Sequence, residues 1–357
     1  MGQLKNKVVG LDKTKVLLGL SGGVDSTAAA LLLKEKGFKV TGFYFDVTGE
    51  NEQGRDDARK VAEQLGIELI CADVSAEFGE KVIGNFCSEY LCGRTPNPCV
   101  VCNPNIKFKK LIETADSIGA YYIATGHYCR LYRNDETGAC YVSRAANEKK
   151  DQSYMLYRLG QDVLSRLIFP LGEFLSKDET RELARSKNLQ NAEKKDSQEI
   201  CFVDPTENYV DYIKALGYDS KPGTFIDKDG RVLGEHKGIV NYTIGQRKGL
   251  GIALGKPAFV TAIDSDKNTI TLGDNEDLFS NTVISRNNVF AYGEASDYDG
   301  MKVMAKVRYS AKPASSVISV DNKKITTTFK EPQRAATPGQ SIVFYVDDHV
   351  IGGGFIE

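Results

Sequence analysis

The chain has 357 residues, with 46 Lys and Arg against 48 Asp and Glu and a formal net charge of −2. That balance argues against attraction to nucleic acid by an overall field, though local basic patches remain open. No apolar run approaches the ~20 residues of a membrane span, the N-terminus lacks the apolar core of a signal peptide, and Asn6 stands where a myristoylation pattern wants Ser or Thr. A cytoplasmic location is expected. Its eight cysteines should then be mostly reduced and imply no disulfide framework.

The length allows two or three domains. Apolar runs at 15–20, 39–47, 67–74 and 121–125 read as buried strands. Between them, 27–36, 56–65, 77–91 and 106–118 carry apolar residues at helical spacing. Such alternation predicts a parallel sheet covered on both faces. Helical patterns follow at 152–159, 177–187 and 208–216, and then turn signals and short β-type runs take over. From about 278 the runs are β-branched and end in HVIGGGFIE, which predicts a small antiparallel barrel. The expected chain is α/β: a parallel-sheet domain (1–207), a small mixed central domain (208–276) and a β-barrel domain (277–357).

The string GLSGGVDST, 19–27, falls where the first strand meets the first helix. In an open parallel sheet that turn sits at the carboxyl ends of the strands, where ligands bind. Gly22 and Gly23 permit positive φ and close approach, so Ser21, Ser26 and the helix amides can surround a phosphate. It is neither a Walker A loop nor a dinucleotide fingerprint, and by itself it could be a capped tight turn. S-G-G-V-D-S resembles the signature of the PP-loop ATP pyrophosphatases. That resemblance implies ATP cleaved between its α and β phosphates, with Asp25 helping to hold Mg²⁺. Gly126 and His127 end the run ATGH at the same expected sheet edge; a lone His is often structural, but the neighbouring loop raises its value.

Cys99 and Cys102 lie in RTPNPCVVCNPNIKFKK, a stretch with one Arg, three Lys and no acid. Nearby cations favour thiolate and hence reactivity. Cys201, in KKDSQEICFVDP, also follows lysines. The other five, Cys71, Cys87, Cys92, Cys129 and Cys140, read as small buried or half-buried apolar residues. A zinc site normally needs four ligands, and only one Cys-x-x-Cys pair is present. Prolines outside both cysteines weaken a redox-motif reading, while ligation of a [4Fe–4S] cluster by Cys99, Cys102 and Cys201 stays open.

S-G-G-V-D-S, R-T-P-N-P with C-N four residues on, A-T-G-H-Y, K-D-Q-S-Y, D-S-x-x-I-C-F, G-Q-R-K-G-L-G and T-P-G-Q occur in that order between 21 and 340. Together they resemble the tRNA-specific 2-thiouridylases from end to end. The resemblance implies that ATP adenylates the 2-oxygen of the wobble uridine, position 34 of certain tRNAs. A Cys201 persulfide then supplies sulfur, and Cys102 releases it by forming a Cys102–Cys201 disulfide. The persulfide would come from a sulfur donor such as a cysteine desulfurase or sulfur-carrier protein. By the same resemblance the ATP contacts are Gly19, Leu20, Ser21, Gly22, Gly23, Val24, Asp25, Ser26, Phe45 and Gly126. The tRNA contacts are Asn97, Pro98 and Cys99 around the flipped base, with Lys150, Asp151, Gln152, His127, Gln340 and a strand-borne Arg308–Tyr309 pair. A single-stranded anticodon loop suits such a site, because its bases can be splayed into a pocket. The chain departs from the pattern in three places: Phe45 where Met is common, Cys99 where many members have Asp, and a short segment at 46–60. Two other readings share these motifs: another PP-loop enzyme such as a 4-thiouridine synthetase, and a non-enzymatic, redox-sensing RNA-binding protein.

Overall fold

The computed structural model describes residues 10–187, 200–204 and 206–357. These form two compact units, one made of 10–78 with 102–187, the other of 79–101 with the described residues from 200 onward.

The first unit is built on strands β1 (Asp12–Gly19), β2 (Lys39–Asp46), β3 (Glu68–Asp73) and β4 (Ala120–Ala124), the hairpin β5 (Arg130–Arg133) and β6 (Cys140–Ser143), and β7 (Leu167–Ile168). Apart from the hairpin they make one parallel sheet, ordered β3-β2-β1-β4-β7. Strand β1 is central and fully apolar at Val16, Leu17 and Leu18 because both faces are covered. The helix Val24–Glu35 packs its alanine- and leucine-rich surface into the core with Val40, Val61 and Leu65. Helix Glu52–Leu65 is capped by Asn51, whose side chain accepts from the Gly54 amide at 2.8 Å, and stops at Gly66 in the left-handed region. Strand order reverses direction between β1 and β4, so their carboxyl ends flank the crevice where such sheets bind ligands.

The second unit contains a mixed sheet and a barrel. Strands β8 (Gly223–Ile226), β9 (Val232–His236), β10 (Phe259–Asp264) and β11 (Thr269–Gly273) are ordered β10-β11-β8-β9. Only β8 and β11 run parallel. Phe225, Val260 and Ile270 are its buried centre. The barrel runs β12 (Phe279–Phe290), β13 (Lys302–Lys306), β14 (Ala314–Asp321), β15 (Lys324–Arg334), β16 (Ser341–Val346) and β17 (His349–Ile356). It is antiparallel throughout, ordered β12-β15-β14-β13-β16-β17, and closes by pairing β17 with β12. The closing seam explains the terminal glycines. A Cβ at Gly354 would lie 2.0 Å from the Asn288 side-chain oxygen, and one at Gly352 2.4 Å from the Val289 carbonyl. Strand β12 is bulged there, with Asn287 at φ 49°.

The parallel sheet, mixed sheet and barrel match the expected fold class. One local expectation fails, and another holds with a change of pitch. The pattern at 152–159 gives only one short 3-10 turn, Ser153–Leu156, because Tyr154 and Leu156 are wholly buried without a polar face to complete a helix. The pattern at 77–91 is interrupted by a widened turn, Gly79–Ile83, before Gly84–Leu91. Among the described residues no helix is long and apolar enough to cross a membrane.

Candidate active site

The carboxyl ends of three strands converge on the glycine loop. A Cβ at Gly19 would touch Phe45 at 3.4 Å and Thr125 at 3.8 Å. Leu20 is buried and donates its amide to the Phe43 carbonyl at 2.8 Å. Gly22 has φ +72°, and a Cβ there would stand 2.7 Å from the Ala58 amide nitrogen. Only glycine fits. The Ser26 hydroxyl donates to the Gly23 carbonyl at 3.0 Å and accepts the Ser21 amide at 3.2 Å, while Ser21 Oγ accepts the Gly23 amide at 3.3 Å. Ser26 is therefore a pin that shapes the loop, whereas the Ser21 side chain is exposed. Val24 and Asp25 begin the helix, whose amide end carries partial positive charge.

Across the crevice Gly126 lies flush on that first helical turn. A Cβ would fall 2.9 Å from the Ser26 nitrogen and 3.0 Å from the Asp25 carbonyl carbon. Two residues on, the Tyr128 hydroxyl donates to Asp25 Oδ1 at 2.8 Å and contacts Thr180 Oγ1 at 2.9 Å. Gln152 accepts the Tyr128 amide at 2.9 Å and donates its own to the Tyr128 carbonyl at 3.0 Å. Asp151, nearly fully buried, accepts from the Ala145 and Ser153 amides at 3.1 and 3.2 Å and from Ser153 Oγ at 2.9 Å. Lys150 closes the preceding turn through its amide, bonded to the Asn147 carbonyl. A-T-G-H-Y and K-D-Q-S-Y are thus one hydrogen-bonded scaffold under the glycine loop. Tyr128 and Thr125 went unnoticed in the sequence; the Tyr closing A-T-G-H-Y was the available signal.

His127 is half-buried, with Nδ1 2.8 Å from Thr125 Oγ1 and its ring stacked on Phe108 at 6.1 Å. Burial, helped by the Lys107 charge, pushes its pKa well below the ordinary imidazole value. It is neutral at pH 7 and acts as a hydrogen-bonding group.

Cys99 and Cys102 share a single helical turn, Pro98–Cys102. Asn97 caps it: its side chain accepts the Cys99 amide and its carbonyl the Val100 amide, both at 3.1 Å. Cys99 is exposed, Cys102 partly so, and Val100 is fully buried. The turn runs directly into the wider turn Asn103–Lys107 and the helix Phe108–Ser117. The basic patch expected over 94–110 is largely neutralised. Arg94 forms a bidentate pair with Glu89 at 2.7 Å, and Lys110 pairs with Glu77 at 3.2 Å and Glu113 at 3.5 Å. Lys109 also lies 3.7 Å from Glu113. These acids lie outside the acid-free window, so the window alone could not show them.

In the second unit the barrel grips the segment leading to the cysteine turn. The Gln340 amide donates to the Thr95 carbonyl at 2.7 Å, and Thr95 donates to the Pro338 carbonyl at 2.8 Å. Gly339, at φ +87°, leaves no room for a Cβ beside Arg94 and Thr95. Cys201 is exposed on a turn, next to Phe202, which packs against Phe86 and Tyr212 at 5.3 and 5.6 Å between ring centroids. The Asp196–Ser197 part of its motif lies outside the described residues. Arg308 and Tyr309 sit on a turn after β13 instead of in a strand. Arg308 donates to the Arg334 carbonyl at 3.2 Å, and Lys306 lies 5.7 Å from the exposed Tyr309 ring. Arg334 lies over Phe259 and beside Gly245 of G-Q-R-K-G-L-G. Nothing in the sequence pointed to Arg334.

Of the five cysteines read as packing residues, Cys87, Cys129 and Cys140 are buried, and burial raises the Cys87 and Cys129 thiols. Cys71 and Cys92 are exposed instead, one on an edge strand and the other at a helix C-cap. Among the described residues no group of three or more His, Cys, Asp or Glu could hold a metal ion, so the cluster reading of Cys99, Cys102 and Cys201 gains no support.

Three family models match the chain in succession: a tRNA methyl transferase HUP domain over 14–205, a tRNA methyl transferase PRC-barrel domain over 211–274 and an aminomethyltransferase beta-barrel domain over 281–356. The tRNA-specific 2-thiouridylase MnmA of Clostridium acetobutylicum is 46% identical, covering 96% of this chain and 99% of its own. MnmA 1 of Clostridium botulinum Okra is 46% identical over 97% and 99%, and MnmA of Clostridium perfringens strain 13 is 45% identical over the same shares.

Proposed function

The chain belongs to the tRNA-specific 2-thiouridylase family, and on that premise we propose how its own residues carry out ATP-dependent thiolation of the wobble uridine. The observation that carries the proposal is the glycine cradle. Gly22 and Gly126 each sit where a single Cβ would strike backbone, at the amide end of the helix that starts at Val24. Such a surface takes a polyphosphate against main-chain amides. Gly19 and Phe45 supply the apolar floor for adenine. The Asp25 carboxylate, oriented by Tyr128, would hold a hard cation such as Mg²⁺, which would supply charge neutralisation for the phosphates.

The uridine O2 attacks the α-phosphate, and pyrophosphate leaves. The O2 is now part of an AMP ester, a far better leaving group. The terminal sulfur of a Cys201 persulfide attacks C2, and AMP departs carrying the former O2. The Cys102 thiolate then attacks Cys201 Sγ, freeing the 2-thio group and forming the Cys102–Cys201 disulfide. Asn97 and Pro98 hold the turn that carries Cys99 and Cys102, and His127, neutral through burial, is a further hydrogen-bonding contact for the tRNA. Asp151, Gln152 and Gln340 act through the backbone they fix, while Lys150, Arg308 and Tyr309 face the RNA. The persulfide arrives from a separate donor protein, and the reaction belongs in the cytoplasm.

The test is incubation with unmodified tRNA, ATP and a persulfide donor, followed by mass spectrometry of digested nucleosides. The proposal expects 2-thiouridine at position 34 that depends on ATP. A 4-thiouridine product, or none with either persulfide or sulfide, would contradict it.

A further inference from the structure

Cys99 is exposed, lies on the same turn as Cys102, and forms no bond in the sequence of steps above. We propose that it is the resolving thiol that reopens the Cys102–Cys201 disulfide after each turnover; this rests on the proposed function. Residues three apart on a helix have Cα atoms about 5 Å apart, from a ~1.5 Å rise, a ~2.3 Å radius and 3.6 residues per turn. That lies inside the ~4.4–6.8 Å range of disulfides. Their Cβ atoms, at about 5–6 Å, are wider than the ~3.5–4.5 Å of a relaxed bond, so the turn must tighten.

This turn can do so at little cost. It is the first turn of its helix, where Pro98 has no amide and the Cys99 amide is held by the Asn97 side chain. Its C-terminal side opens into the widened turn Asn103–Lys107. A strained, exposed disulfide is also the readily reduced kind, which suits an intermediate that must be cleared every cycle.

The exchange balances without a further oxidant. The Cys99 thiolate attacks Cys102 Sγ; the Cys99–Cys102 bond forms, the Cys102–Cys201 bond breaks, and Cys201 leaves as a thiolate that takes up a proton. A cellular dithiol then reduces the Cys99–Cys102 disulfide and is itself oxidised. Cys201 can accept the next persulfide while that reduction proceeds.

Two measurements test this. In dithiol/disulfide buffers of graded potential, without tRNA, peptide mapping of the full chain should find a Cys99–Cys102 linkage; its absence under all conditions that oxidise other exposed thiols overturns the proposal. After one turnover, quenched with an alkylating agent, the wild type should carry Cys99–Cys102 and the Cys99→Ser variant Cys102–Cys201. Relative to its own first turnover, that variant should lose about 10-fold in steady-state rate at limiting protein dithiol, with recovery at high concentrations of a small dithiol. A wild type trapped only as Cys102–Cys201, or a variant whose later turnovers keep pace with its first at limiting dithiol, overturns it. Wild-type first-turnover 2-thiouridine reports on the underlying function separately.

Discussion

The nucleotide cradle and the sulfur-bearing turns solve opposite problems with opposite materials. Around the glycine loop nearly every polar side chain is committed: Ser26 to Gly23 and Ser21, Tyr128 to Asp25 and Thr180, Gln152 to Tyr128, Asp151 to two amides. That region is assembled before any ligand arrives, so binding it costs little ordering. The thiols assigned to sulfur transfer are, by contrast, accessible: Cys99 and Cys201 are exposed on short turns, and Cys102 is only half-covered. The proposed chemistry requires sulfur to be received from a donor, handed to a base and cleared, and a buried thiol could do none of these. Cys87 and Cys129 show the alternative, since their burial keeps the thiol protonated and inert.

Four changes break that contrast in order of expected size. Cys201→Ser or Cys102→Ser should lower 2-thiouridine formation by more than about 10³-fold, of the order seen on removing a nucleophile, and leave ATP affinity unchanged by calorimetry. Equal loss of ATP binding would mean that cradle and thiols are not separable. Gly126→Ala should do the reverse, weakening ATP binding by about 10-fold or more, within the ~1–3 kcal/mol that forced displacement costs. Its persulfide loading at Cys201, read by mass spectrometry, should be normal.

Arg308→Ala should weaken tRNA binding at low salt by a few-fold and reduce the slope of log affinity against log salt by about 1, if its guanidinium meets a phosphate. An unchanged slope would remove it from the RNA face. The smallest effect concerns pH. Burial lowers the pKa values of His127 and His236, and His236 accepts the Gly238 amide at Nδ1 with Nε2 3.2 Å from the Asn268 carbonyl. Because the folded state disfavours protonation, these neutral imidazoles contribute stability that is present above the unfolded value of ~6.5 and lost as pH falls below it. Thermal midpoints should therefore drop between pH 7.5 and pH 5.5, and less so for His236→Gln. A rising midpoint would reverse the sign.

Much of this was legible because it is local. Strand–helix alternation predicts the parallel sheet, since buried strands must be apolar throughout, and S-G-G-V-D-S marks the ligand edge because a loop that cradles phosphate needs glycine at fixed places. The HVIGGGFIE ending signalled a barrel, although only the structure shows why its glycines are needed at the seam. What stayed hidden is relational. Glu77 and Glu89 neutralise Lys110 and Arg94 from outside the window that looked basic. Tyr128 reaches Asp25 across 103 residues of chain, and Arg334 meets Arg308 only through barrel pairing. The helix expected over 152–159 failed for a related reason: its apolar residues are buried on all sides, so their spacing reflected tertiary enclosure instead of one helical face.

The central claim is that the base oxygen is activated by ATP and expelled as AMP. It is tested most directly with tRNA carrying ¹⁸O at O2 of uridine 34. After one turnover with the wild-type chain and a persulfide donor, the account predicts ¹⁸O in the phosphate of AMP and 2-thiouridine in equal amount. AMP free of ¹⁸O alongside full thiolation would contradict it.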